Sequence, residues 1–168
     1  MWTRAMLLVA MVVGGVGTAA AQPPTNDDCA TAIAIGDGTY SVSYSGATTD
    51  GLQSACRQAF DDIWFVGLAS ASGMYEFSTC GTIGIDTIIV AYDATACPPT
   101  VELGCNDDFA SCGLASRFDF AATAGSLFLL RIGAFSAGAT GTLMFSIGPS
   151  TTCPAVTSLA CFGDCNTG

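Results

Sequence analysis

The segment D-T-I-I-V-A-Y-D, from Asp86 to Asp93, is the feature that most restricts the fold of this chain. Successive side chains of a β-strand point to opposite faces, and here both faces are largely apolar. One face carries Ile88, Val90 and Tyr92, and the other carries Thr87, Ile89 and Ala91. A strand of this kind must be covered on both sides. We therefore predict a central strand in a layered β structure.

Shorter segments of the same kind fill most of the remaining chain, separated by turns rich in Gly, Ser, Pro and Asp. Outside the N-terminal segment no long helical periodicity is present. This spacing is typical of an all-β sandwich of two antiparallel sheets, with eight or nine strands. The segments that predict strands are 40–44, 62–68, 74–79, 86–93, 101–104, 117–120, 126–132 and 142–147.

Residues 1–21 have the pattern of a secretory signal peptide. Arg4 supplies a short basic region, residues 5–16 an apolar core, and Ala19, Ala20 and Ala21 a cleavage site of small residues. The alternative is an anchoring helix, but the apolar run is too short to cross a bilayer comfortably. We predict an extracellular location, secreted or at the cell surface, with residues 22–149 as one β-sandwich domain.

Charge limits the classes of partner. The predicted mature chain carries three arginines against fourteen acidic residues, a formal charge of −11, and has neither Lys nor His. Nucleic acid and anionic membrane surfaces are poor partners for such a chain. We predict no nucleic-acid partner and no membrane insertion, whereas hard cations such as Ca²⁺ are compatible with this composition.

Six cysteines of the predicted domain suggest three disulfides, as expected for an exported chain. They are Cys29, Cys56, Cys80, Cys97, Cys105 and Cys112. Six cysteines allow fifteen pairings. Proximity along the chain favours Cys29–Cys56, Cys80–Cys97 and Cys105–Cys112. With no His and no C-x-x-C pair, a zinc site or thioredoxin-like chemistry is not expected.

Residues 150–168 differ from the domain before them: they begin like a linker and contain three further cysteines. An odd number of cysteines in an exported segment leaves one without a partner. We interpret the segment as a linker and the beginning of a second, truncated module. The alternative is a natural tail with one free or intermolecular cysteine.

Seven short motifs occur in a fixed order along the chain: N-D-D-C-A (26–30), D-I-W-F (62–65), S-T-C-G (78–81), D-T-I-I-V-A-Y-D (86–93), C-N-D-D (105–108), S-R-F-D-F (116–120) and A-G-S-L-F-L-L-R-I-G (124–133). Together they resemble secreted bacterial repeat modules similar to the pre-peptidase C-terminal domain. The resemblance implies a jelly-roll-like β-sandwich that is non-catalytic and is attached to a secreted enzyme or a surface protein. The segment 153–161 is similar to the start of a fibronectin type III-like module.

Catalytic signals are weak, and we predict that the chain is not an enzyme. Without His no Ser or Cys triad can form. Asp86-Thr87 is followed by Ile88, not by the Gly of an aspartic protease loop, and it has no second copy. Glu76 and Glu102 are the two glutamates, and a glycosidase pair would need a geometry that their spacing does not supply.

A calcium site is the sharper prediction. Consecutive Asn106, Asp107 and Asp108 follow a short predicted strand, Asp86 opens the central strand, and Asp62 opens another. Oxygen ligands that converge from loops at one end of a sandwich can bind Ca²⁺. The same residues also fit the alternative of Asx turns that end strands.

The function predicted from these features is a non-catalytic extracellular module for binding, adhesion or spacing, with a structural calcium site. Its ligand is unknown, and glycan and protein remain open. The alternative is an accessory domain of a secreted hydrolase that aids substrate binding or maturation. Aromatic residues that could form a glycan platform fit core positions better, and Arg117 and Arg131 fit paired surface positions.

Overall fold

The structure is a computed structural model that describes residues 21–50 and 52–151. The predicted signal peptide and the predicted second module lie outside these residues, apart from Ala21, Ser150 and Thr151. Within the described ranges, no helix is long and apolar enough to cross a membrane.

Nine strands and one short 3₁₀ helix form the fold, which is all-β as predicted. The helix is Cys29–Thr31, and the strands are β1 (Ile33–Ile35), β2 (Gly38–Ser43), β3 (Phe60–Leu68), β4 (Gly73–Ser78), β5 (Thr87–Asp93), β6 (Glu102–Asn106), β7 (Arg117–Ala122), β8 (Leu127–Ala134) and β9 (Thr142–Pro149). A five-stranded sheet has the order β1-β3-β8-β5-β6, and a four-stranded sheet has the order β2-β9-β4-β7.

Strand β1 is the element that the sequence did not reveal. It pairs in parallel with β3, with Ile33 opposite Phe65, whereas all other strand pairs are antiparallel. The β1–β3 pair is therefore the exception, among the strand pairs of the described residues, to the antiparallel arrangement that we predict. A strand of three residues is too short to show an alternating pattern, so periodicity could not detect it.

Two apolar layers stabilise the sandwich. The larger layer lies between the sheets and contains Phe65, Phe77, Phe120, Leu130 and Phe145. The smaller layer covers the outer face of the five-stranded sheet. Trp64, Ile88, Val90, Tyr92 and Leu129 form it, and Cys29 and Leu52 pack there from the segments before β1 and before β3.

Strand β5 lies between β8 and β6, and its residues 87–92 are all buried. Ile89 and Ala91 contribute to the layer between the sheets, while Ile88 and Val90 contribute to the outer layer. The prediction of a central strand covered on both faces is confirmed. This position fixes where the residues just before β5 lie in the sandwich.

The predicted disulfide pairing is wrong, although all six cysteines do pair. The bonds are Cys29–Cys97, Cys56–Cys105 and Cys80–Cys112, with Cα–Cα distances of 5.9, 5.9 and 5.4 Å. Their sequence separations are 68, 49 and 32 residues. Each bond joins segments that the sheets bring together from distant parts of the chain, so proximity in sequence was a poor guide.

Candidate functional site

Three carboxylates meet at one end of the five-stranded sheet. Asp86 lies immediately before β5, and Asp107 and Asp108 follow β6 directly. Strands β5 and β6 are antiparallel neighbours, with Ile89 opposite Asn106. The start of β5 and the end of β6 therefore lie at the same end of the sheet. One carboxylate oxygen from each aspartate lies within 4.8 Å of those from the other two. We call these three residues the Asp cluster.

Disulfides hold the loops around the Asp cluster. Cys56–Cys105 attaches the segment before β3 to the end of β6, and Cys80–Cys112 attaches the segment after β4 to the β6–β7 loop. These bonds restrict the loops that carry or contact the aspartates. The three carboxylates are therefore placed by the fold.

Buried hydroxyl groups support the same end of the sandwich. The Thr79 and Thr87 hydroxyls lie 2.7 Å apart, and the N–H of Ser116 donates to the Thr79 hydroxyl at 2.9 Å. The Ser116 hydroxyl contacts the main-chain oxygens of Thr87 and Asp107. All three hydroxyl residues are buried, so the main chain on either side of the Asp cluster is tied to one polar network.

The Asp cluster is electrostatically unfavourable as it stands. Oδ1 of Asp86 and Oδ1 of Asp107 are buried and accept no hydrogen bond. Burial raises the pKa of Asp86, with further contributions from Asp108 and Asp107, and burial followed by Asp108 raises the pKa of Asp107. Arg57 offsets part of this repulsion, with Nη1 3.9 Å from Oδ2 of Asp107. One arginine against three carboxylates leaves net negative charge.

The structure does not bring the other two predicted ligands to the Asp cluster through their side chains. Oδ1 of Asn106 accepts a hydrogen bond from the N–H of Arg117 at 3.0 Å. Asp62 is fully buried on the outer face of the five-stranded sheet, where its Oδ2 is 2.7 Å from Nε of Arg131. The prediction that Asp62 opens β3 at the cation site is therefore corrected: its carboxylate is committed to an ion pair.

Arg131 is also not the surface residue that we predicted. Its side chain has no exposed area, and its guanidinium donates to Asp62, to the Leu52 carbonyl at 2.5 Å and to the Ala59 carbonyl at 3.3 Å. One signal could have revealed this. Arg131 shares a strand face with Leu127 and Leu129, and an arginine that continues an apolar face needs a buried acidic partner. Arg117, by contrast, is paired with Glu76 at a partly exposed position.

The two glutamates do not form a catalytic pair. Glu76 lies on β4 of the four-stranded sheet and pairs with Arg117, and Glu102 lies on β6 of the five-stranded sheet. Oε2 of Glu102 accepts the Ala55 N–H at 3.0 Å. Both carboxylates thus have structural partners on different sheets, so a glycosidase pair finds no support here.

The aromatic residues that could have formed a glycan platform are mostly in the core. Trp64, Tyr44 and Tyr75 have no exposed area, and Tyr92 is 3% exposed. Tyr40 is half-buried and stacks on Phe145 with ring centroids 5.1 Å apart. These rings serve packing, as the strand pattern favoured.

Comparison with solved structures finds a likeness to a known domain. The chain is similar to the crystal structure of the pre-peptidase C-terminal domain of a collagenase from Bacillus anthracis, with a TM-score of 0.48 and 15% sequence identity. The match covers 69% of this chain and 93% of that domain. At this identity it carries nothing about ligand or activity.

No protein-family model matches the chain, and no curated protein matches it.

Proposed function

We propose that this chain is a non-catalytic extracellular module whose Asp cluster, Asp86, Asp107 and Asp108, binds Ca²⁺ and thereby fixes one end of the sandwich. The observation that carries the proposal is the pair of buried oxygens, Oδ1 of Asp86 and Oδ1 of Asp107, which accept no hydrogen bond. Buried polar atoms without a partner are rare and costly. A cation between them would satisfy both atoms and cancel their repulsion.

The alternative of Asx turns explains these aspartates less well. An Asx turn needs a side-chain oxygen that accepts a nearby main-chain hydrogen. Oδ1 of Asp86 and Oδ1 of Asp107 accept none, so these two oxygens take part in no Asx turn. Asx turns also give no reason why carboxylate oxygens from two separate segments lie within 4.8 Å of one another. The convergence favours a shared ligand.

The proposed site is of the weak, extracellular type. Ca²⁺ takes six to eight oxygen ligands, and the Asp cluster supplies three carboxylates, so water and main-chain oxygens would complete the shell. Extracellular modules of this kind bind Ca²⁺ with dissociation constants of roughly 10⁻⁴ to 10⁻³ M. Occupancy would then follow the calcium level outside the cell. This agrees with the export predicted from residues 1–21 and with three disulfides in the described domain.

The biological role that fits is binding, adhesion or spacing within a larger extracellular protein. A disulfide-bonded sandwich with a cation at one end is a rigid unit that keeps its shape outside the cell. In the accessory-domain role, the same sandwich with the same cation site would be attached to a secreted hydrolase. Because both roles include the cation site, a test of that site tests what they have in common.

Thermal unfolding in Ca²⁺ and in chelator tests the proposal. At a calcium concentration ten times the dissociation constant, the folded state should gain about 1.4 kcal/mol. Asp107→Asn should abolish the rise in the unfolding midpoint. Asp119→Asn, which removes one carboxylate from β7 of the other sheet, should retain it. A midpoint that is the same in about 10 mM Ca²⁺, ten times the upper limit of the expected dissociation constant, and in chelator would exclude the site.

A further inference from the structure

A cleft of about 460 Å³ lies on the outer face of the five-stranded sheet. Its walls are apolar and come from Leu52, Trp64, Pro98 and the Cys29–Cys97 disulfide. Two carboxylates, Asp28 and Asp50, also line it. The volume is within the range of small-molecule sites, which combine mostly apolar walls with a few polar groups.

The carboxylates of this cleft have no basic partner among the described residues. The described part of the chain contains three basic side chains, and each is paired elsewhere: Arg57 with Asp107, Arg117 with Glu76 and Arg131 with Asp62. Arg131 lies close to the cleft, but the charge of Asp62 cancels its own. The cleft therefore keeps two negative charges beside an apolar surface.

Asp50 is an exposed residue of the cleft that two hydrogen bonds hold beside Trp64. Its Oδ2 accepts a hydrogen bond from Nε1 of Trp64 at 2.6 Å, and its N–H donates to Oδ1 of Asp62 at 3.3 Å. Burial and the charge of Asp62 raise the pKa of Asp50, with a smaller contribution from Asp28. Asp28 forms no capping hydrogen bond with the 3₁₀ helix that it precedes.

We infer that this cleft binds an organic ammonium ion with a short apolar chain, the chemistry of an alkylamine or of a lysine side chain. The ammonium group would lie between Asp28 and Asp50, and the alkyl chain would lie against Leu52 and Pro98. A neutral apolar ligand would leave both charges unpaired, and an anion would be repelled. The inference is independent of the proposed calcium function, because it uses none of the residues of the Asp cluster.

Trp64 is a built-in reporter for this site. The chain has two tryptophans, Trp2 and Trp64, so the full chain with Trp2→Phe has Trp64 as its single tryptophan, which can be excited selectively over the tyrosines. We would titrate that protein, in chelator, with hexylammonium and with N-acetyl-lysine methylamide. Hexanol and hexanoate are the neutral and anionic controls. Fluorescence and the NMR shift of the indole N–H report binding.

Hexylammonium should give a saturable shift at concentrations on the order of millimolar. It should bind at least threefold more tightly than hexanol. Hexanoate should give none. Asp28→Asn and Asp50→Asn should each weaken binding by roughly two- to fivefold, the effect of one partly exposed ion pair. Asp108→Asn, the same change at the Asp cluster, should leave it unchanged. If the lysine derivative binds more tightly than hexylammonium, the source is a protein side chain; the reverse order indicates a free amine.

Equal affinity for hexylammonium and hexanol would overturn the inference, because the charges would then play no part. So would an unchanged affinity in both Asp28→Asn and Asp50→Asn. Loss of calcium binding with retained amine binding, or the reverse, separates this site from the Asp cluster. Asp28 is exposed, so its variant tests the site even if Asp50→Asn disturbs the fold through Trp64.

Discussion

Arg131 and Asp62 form an ion pair with no exposed area on either side chain, and Nε of one lies 2.7 Å from Oδ2 of the other. The pair spans β8 and β3 on the outer face of the five-stranded sheet. Through Leu52 and Ala59, the same guanidinium holds the main chain of the segment that precedes β3. It thus anchors the segment that carries Asp50, one side of the cleft described above.

Removing one partner of this pair should be strongly destabilising. Asp62→Asn leaves a buried guanidinium without its counter-charge, and a loss of about 3–5 kcal/mol in the free energy of unfolding is expected. Urea unfolding measures it. The matched control is Glu76→Gln in the partly exposed Arg117–Glu76 pair, which should cost at most about 1 kcal/mol. Comparable losses in both variants would contradict a special role for the buried pair.

The disulfide pattern predicts which peptides remain linked after digestion without reduction. Fragments containing Cys29 and Cys97, Cys56 and Cys105, and Cys80 and Cys112 should be recovered as three separate pairs by mass spectrometry. The double variant Cys80→Ala/Cys112→Ala should leave no free thiol in residues 22–149. Cys80→Ala/Cys97→Ala should leave two. Recovery of a Cys80–Cys97 peptide from the unmodified protein would refute the structure at this point.

Gly67 illustrates how closely β3 approaches its neighbours. Phe128 lies opposite it on β8, and a Cβ at Gly67 would be 2.2 Å from ring carbon Cε2 of Phe128. Gly67→Ala should therefore cost about 1–3 kcal/mol, typical of overpacking. Gly36→Ala is the control, because nothing lies within 4 Å of its Cβ position. Equal stability of the two variants would show that the ring moves freely.

Acidification should stabilise the calcium-free protein through the Asp cluster. The pKa values of Asp86 and Asp107 are raised on folding, so their charged forms disfavour the folded state. This penalty is present at neutral pH and disappears as the pH falls through the raised pKa values towards the ordinary value of 3.8. In chelator, Asp107→Asn should therefore gain stability over the parent at neutral pH.

That stability advantage of Asp107→Asn should shrink as the pH is lowered to about 4, because the Asp107 carboxylate of the parent protein then becomes protonated. Calorimetry at a series of pH values measures the difference between the two proteins. A constant difference over this range would show that Asp107 titrates as it does in the unfolded chain.

The sequence predicted the strands well because each carries its own pattern. Alternation at Phe118 and Phe120 and continuous apolarity at residues 87–92 are local properties that survive in the fold. The disulfide partners, the identity of the acidic partner of Arg131 and the three-residue strand β1 are different. They depend on which distant segments become neighbours, and no local pattern in one sequence contains that information.

The sequence predicted only part of the candidate site, because local patterns do not show which distant segments become neighbours. Asp107 and Asp108 are adjacent in sequence and follow a short strand, and Asp86 begins the strand that precedes it along the chain. One end of the sheet could therefore bring the three residues together. Asp62 also begins a strand region, and it was assigned to the site by that analogy. Its carboxylate lies instead on the outer face of the sheet, in an ion pair with Arg131. Which end and which face a residue occupies is decided by register, which the sequence pattern leaves open.

Calcium titration by isothermal calorimetry tests the central claim most directly. The account predicts one site per chain, with a dissociation constant of roughly 10⁻⁴ to 10⁻³ M. Asp86→Asn, Asp107→Asn or Asp108→Asn should weaken that site at least tenfold, and Asp119→Asn should leave it unchanged. Binding that is absent in the parent protein, or equal in Asp107→Asn and Asp119→Asn, would contradict a cation site at the Asp cluster.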